Sequence, residues 1–106
     1  GLNEVAIALT LPEWALLIAK DRLSKRHLQV SVANAKIFDG SGAVDAGFLD
    51  EVTEADQVTA RAVEVAQGFA EQLDAKAYAS TVRALRGNLL SQMETAIVAD
   101  RAAAGL

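Results

Sequence analysis

Apolar residues recur along this chain in two rhythms, and each predicts a different element. From Leu2 to Ala8 a short apolar run, broken only by the carboxylate of Glu4, reads as a short strand or strand end leading into a turn. Thr10-Leu11-Pro12-Glu13 then reads as a helix start. Threonine is a fair N-cap, proline suits the first turn, and a glutamate there complements the positive end of the helix dipole. The helix is expected over Pro12 to Leu23. Ser24 opens a second helix with Leu28, Val32 and Ala35 on one face, and Asp39-Gly40-Ser41-Gly42 breaks it as an exposed loop.

The passage SGAVDAGFLDEV, from Ser41, predicts a capped short helix over Gly42 to Ala46, a stop at Gly47 and a short strand from Phe48 to Val52. From Thr53 the positions Ala55, Val58, Ala62, Val65, Phe69 and Leu73 advance by three or four residues, so a long helix with one apolar stripe facing a core is expected. Asp74 is placed to cap the next helix, through Arg86. Gly87-Asn88 separates that helix from a last one carrying Leu89, Met93 and Ile97. Two short strands cannot pair only with each other without leaving open edges, so the rest of a sheet is expected from a polypeptide segment outside this chain.

Composition narrows the picture. The 106 residues are 52% hydrophobic but only 5% aromatic, so the apolar content is Ala, Val and Leu, the usage of packed helices with small side chains. A net charge of −4, with no basic cluster longer than Lys25-Arg26, argues against a nucleic-acid partner. Absence of cysteine excludes disulfides, thiolate metal sites and cysteine nucleophiles, and it fits a reducing compartment, with cytoplasm as the expectation. The apolar stretches Val5 to Leu11 and Trp14 to Ala19 fall far short of the ~20 residues that cross a bilayer, and no targeting signal is visible. Gly1 stands where a starting methionine would, so the chain is expected to be a piece of a longer protein.

Asn3-Glu4-Val5, followed at this separation by Ala43, Ala46, Gly47, Phe48 and Leu49 in an "A-x-x-A-G" passage ending in two apolar residues, resembles the second half of a crotonase-type enoyl-CoA hydratase/isomerase. The resemblance covers nearly the whole chain and weakens after Gly87. It implies a mainly α fold with short strands: residues 1–52 as the later part of the ββα spiral core, and residues 53–106 as the C-terminal helical region through which the family forms trimers or dimers of trimers. The missing first half would carry the two backbone N–H donors that hold the thioester oxygen of an acyl-CoA substrate. No cofactor is implied beyond the coenzyme A thioester itself, and no metal. The chain alone would be catalytically incomplete.

On that resemblance Glu4 is the carboxylate that transfers protons, in an apolar surround such as Val5, Ile7 and Leu9. Hydratases add a second glutamate from the earlier half, whereas isomerases of 3-enoyl thioesters manage with one. The string Leu2-Asn3-Glu4 is more like the isomerase branch; hydratase activity and a non-catalytic assembly fragment are the alternatives. The chain departs from the family pattern at Ala8, where many relatives have glycine, and at Pro12-Glu13-Trp14, which replaces the glycine-rich turn of hydratases. Trp14 either shapes an acyl pocket or packs in the core. Arg83 and Arg86, spaced with Lys76 along one helix, either meet the coenzyme A phosphates or form a solvated face. His27 lacks the neighbours of a triad or a metal site and reads as a surface residue. Asp45, Asp50 and Glu51 read as solvated ends of elements, without the spacing of a metal loop.

Overall fold

In a computed structural model describing residues 1–106, the chain forms five α-helices and two 3-10 turns. The helices are α1 (Glu13–Arg22), α2 (Lys25–Val32), α3 (Gly40–Ala46), α4 (Val58–Gln72) and α5 (Ala75–Ala103), and the turns are Glu4–Ile7 and Ala55–Gln57. The mainly helical class holds. The two stretches expected as strands do not form them: Leu2 to Ala8 winds into a 3-10 turn and Phe48 to Val52 runs on without pairing. Isolated extended segments gain no ladder hydrogen bonds, and the 3-10 turn satisfies its backbone locally instead.

The chain divides into two compact units, Gly1–Val52 with Asn88–Leu106, and Thr53–Gly87. In the first, α1, α2 and α3 meet through small residues. Ala46 is fully buried, Ala19 is 4% exposed, and Ser31 is fully buried with its hydroxyl donated to the His27 carbonyl at 2.7 Å. Small side chains let helices approach closely, so the low aromatic content is a packing choice as much as a compositional one.

Helix α3 starts where Asp39 accepts from the Gly42 amide at 2.8 Å, so the expected loop at Gly40-Ser41-Gly42 is instead the first turn of a capped helix. It ends at Gly47, which takes φ +102° while Phe48 donates to the Ala43 carbonyl at 2.9 Å and Gly47 to the Val44 carbonyl at 3.1 Å. That pair of bonds is a Schellman closure. Gly47 also comes so near the end of α1 that a β-carbon would stand 2.7 Å from the Arg22 carbonyl oxygen. The Ala46 carbonyl accepts from the Ser24 amide at 3.0 Å, which ties the end of α3 to the start of α2.

The same closure recurs after Glu4–Ile7. Leu9 donates to the Glu4 carbonyl at 2.9 Å and Ala8 to the Val5 carbonyl at 3.3 Å. Here the left-handed position is Ala8, at φ 61°. A β-carbon in that region costs energy that glycine avoids.

Other boundaries moved for local reasons. Helix α1 begins at Glu13, with extended Pro12 before it and no side-chain cap from Thr10, because the proline ring fixes φ and supplies the entry angle. Helix α2 ends at Val32, and Ala35, at φ 53°, lies beyond it and off the expected stripe. Asp74 accepts from the Ala77 amide at 2.7 Å, the cap its position implied. Beyond it α5 runs without a break through Gly87-Asn88, because one glycine costs a long helix only about 1 kcal/mol and thirteen-atom hydrogen-bonded rings on both sides hold it. The stretch from Thr53 to Gln57 enters α4 through a 3-10 turn, and no residue of α4 is buried, so its apolar stripe faces no core within this chain.

Two substitutions test the paired closures. Gly47→Ala places a β-carbon against the Arg22 carbonyl and in a disfavoured φ, and should cost about 2 kcal/mol or more in urea unfolding. Ala8→Gly removes the strain at the other closure and should raise stability, by about 0.5 to 1 kcal/mol in the same measurement.

Candidate functional site

Glu4 starts its 3-10 turn, and the backbone around it is pinned by the bonds from Ala8 and Leu9. Its side chain lines a cavity of about 220 Å³ in the first unit. One carboxylate oxygen, Oε2, is shut off from solvent and accepts no hydrogen bond. Buried polar atoms are almost always satisfied, so a carboxylate oxygen without a partner beside an apolar space singles Glu4 out as the candidate residue of this site.

The surround differs from the expected one. Val5, Ile7 and Leu9 are 50%, 58% and 56% exposed and turn away from Glu4. Val5 and Leu9 line a second, shallower groove of about 440 Å³ with Leu11, Leu16 and Val32. Residues of a 3-10 turn point to successive sides three to a circuit, so near neighbours of Glu4 in sequence cannot all share its face. The apolar wall comes instead from Leu2, Pro12, Ile18, Leu23 and Phe48, together with Trp14.

Trp14 is 40% exposed and lines the cavity, so it is neither in the core nor free of the site. Its backbone amide donates to Asp100 Oδ2 of α5 at 3.4 Å, and a carboxylate at the open N–H groups of a helix start is favourable both as acceptor and as charge. Arg22 lines the other end of the helical face, and its Nη2 donates to Asp50 Oδ1 at 2.6 Å. That ion pair is 42% and 88% exposed on its two sides, so it orients Arg22 more than it stabilises the fold.

Sequence reasoning missed Ile18, Arg22, Phe48 and Asp100 as members of this neighbourhood. The i, i+4 series Trp14, Ile18 and Arg22 was the available signal for the first two. Nothing local pointed to Asp100, which is 86 residues from Trp14.

The remaining positions fall elsewhere. His27 Nδ1 lies 2.7 Å from the Ser24 hydroxyl at the start of α2, and its ring meets Phe38 edge-on at 6.2 Å. Phe38 continues to Phe48 at 5.7 Å and carries Lys36 Nζ at 5.0 Å, an aromatic cluster that backs the cavity wall at Phe48. Arg83 and Arg86 are exposed on α5 in the second unit, where Arg86 is engaged with other groups. Asp45 and Glu51 are exposed, and Asp50 holds Arg22. No three His, Asp or Glu side chains are grouped to hold a metal ion, and no helix is long and apolar enough to cross a membrane.

No protein-family model matches the sequence, and no curated protein matches it significantly. Solved structures do match. EchA3 of Mycobacterium tuberculosis H37Rv, described as a probable enoyl-CoA hydratase, superposes with a TM-score of 0.89 and 39% identity over 98% of this chain and 44% of its own. An enoyl-CoA hydratase/isomerase family protein of Pseudomonas syringae gives a TM-score of 0.87 and 38% identity over 95% of this chain and 44% of its own. An apo structure of a Mycobacterium tuberculosis enoyl-CoA isomerase gives 0.85 and 39% identity, over 98% of this chain and 45% of its own. The chain therefore spans less than half the length of the proteins it resembles.

Proposed function

We infer that this chain, which corresponds to the C-terminal part of a crotonase (enoyl-CoA hydratase/isomerase) superfamily protein, supplies the proton-transferring carboxylate of an enoyl-CoA double-bond isomerase. The observation that carries the reading is the orphaned Oε2 of Glu4 beside an apolar cavity. A carboxylate held there, with no internal donor to satisfy it, is poised to take a proton from a carbon acid.

The reaction balances with a single carboxylate. Glu4 takes a proton from C2 of a 3-enoyl thioester, and the electron pair of that C–H bond moves toward the carbonyl to form an extended enolate. The proton then returns to C4, leaving the double bond between C2 and C3. Two amide donors outside this chain would hold the enolate oxygen, the kind of contact whose loss costs ~100- to 1,000-fold in rate. Trp14 belongs to the acyl side of the pocket. Arg83 and Arg86 are assigned to coenzyme A phosphates, met in a trimer or hexamer, and the cysteine-free composition suits a cytoplasmic protein.

Hydration is the second reading, favoured by the description of the Mycobacterium tuberculosis EchA3 structure as a probable hydratase. It needs another acid to orient water.

Glu4→Gln keeps the size and hydrogen bonding of the side chain but removes the base. With the complementary half of the fold present, 3-enoyl-CoA turnover should fall at least ~100-fold while KM changes little; an unchanged rate removes Glu4 from the mechanism. The 106-residue chain alone should give no turnover above buffer, followed by absorbance of the conjugated 2-enoyl product.

A further inference from the structure

Helix α1 starts without a cap of its own, because Pro12 stands in the capping position and offers no side-chain acceptor. Helices α3 and α5 begin otherwise: Asp39 accepts from the Gly42 amide at 2.8 Å and Asp74 from the Ala77 amide at 2.7 Å. At α1 the carboxylate comes from the far end of the chain, where Asp100 Oδ2 accepts from the Trp14 amide at 3.4 Å. Trp14 is the second residue of the helix, one of the two positions that an N-cap side chain serves.

The exposure pattern of α5 aims Asp100 at this place. From residue 88 to residue 106 every position is exposed except Leu89, Met93, Ala96 and Asp100. Their spacing puts them on one helix face, and Ala96 within it is 2% exposed. Three of the four are apolar. The fourth is a half-buried carboxylate at the end of the stripe, set against a helix start that lacks an acceptor. The turn it holds supplies Pro12, Trp14 and Ala15 to the lining of the Glu4 cavity.

We propose that Asp100 is a positioning residue for the site: it supplies the cap that Pro12 does not, and through the Trp14 amide it fixes the first turn of α1 beside Glu4. Its role in turnover rests on the reading of Glu4 as the proton-transferring carboxylate of an isomerase.

Asp100→Ala and Asp100→Asn are made in the full-length protein of which this chain is the C-terminal part. Alanine is a good helix former, so the first variant keeps α5. Hydrogen exchange of the peptide spanning residues 12–19 is followed by mass spectrometry, beside turnover of 3-enoyl-CoA. Asp100→Ala should speed exchange at the first turn of α1 about fivefold and lower kcat about tenfold. Asp100→Asn keeps an acceptor oxygen and should restore most of both. Asp74→Ala removes the corresponding cap of α5, away from the cavity, and should leave turnover unchanged. Exchange unchanged in Asp100→Ala overturns the cap and the proposal with it. Faster exchange with unchanged turnover, or an equal loss of turnover in Asp74→Ala, overturns the positioning role. A wild-type protein that turns over no 3-enoyl thioester overturns the isomerase reading and that role together, while the exchange result, which needs no substrate, still decides the cap.

Discussion

The approach of Gly47 to the end of α1 is the contact on which the rest of the first unit depends. At 2.7 Å there is no room between the Arg22 carbonyl and a β-carbon at this position, so the end of α3 is seated on the end of α1 with only a hydrogen atom between. Three consequences follow along the chain. Ala46 is buried completely, Phe48 is set where it lines the cavity, and Asp50 is brought to Arg22. The small-residue passage that marked this stretch in the sequence is therefore a packing instruction, and the cavity is its product.

Glu4 depends on a different device, the 3-10 turn closed by Ala8. Its main chain is held by the bonds from Ala8 and Leu9, and its carboxylate is left with an oxygen that nothing in the chain satisfies. The main chain is thus fixed from within the turn, while the side chain keeps a buried oxygen whose partner this chain does not supply. The left-handed alanine that closes the turn stores strain beside that group, as functional turns often do.

Much of this was legible in advance where the signal was local. Asp74 as a cap, Gly47 as a helix stop and the helical class all follow from the chemistry of single residues. Glu4 stood out because a carboxylate interrupts an apolar run, but its surroundings could not be read from its sequence neighbours. The walls around it come from α1 and from Phe48, brought together by the seating of α3, and the nearby Val5, Ile7 and Leu9 point elsewhere. The strands failed because short apolar runs carry no information about whether a pairing edge is present. Gly87 failed as a break because a single glycine is a weak signal against a long helical pattern.

The bond between the Trp14 amide and Asp100 joins residues 86 positions apart. A ribosome adding ~5 to 20 residues per second needs roughly 4 to 17 s to travel from one to the other. Throughout that interval the first turn of α1 is without its distant carboxylate, and water must serve its open amides. The wall at Trp14 is thus among the last parts of the first unit to be completed during synthesis, after the seat of α3 on α1 has long been available.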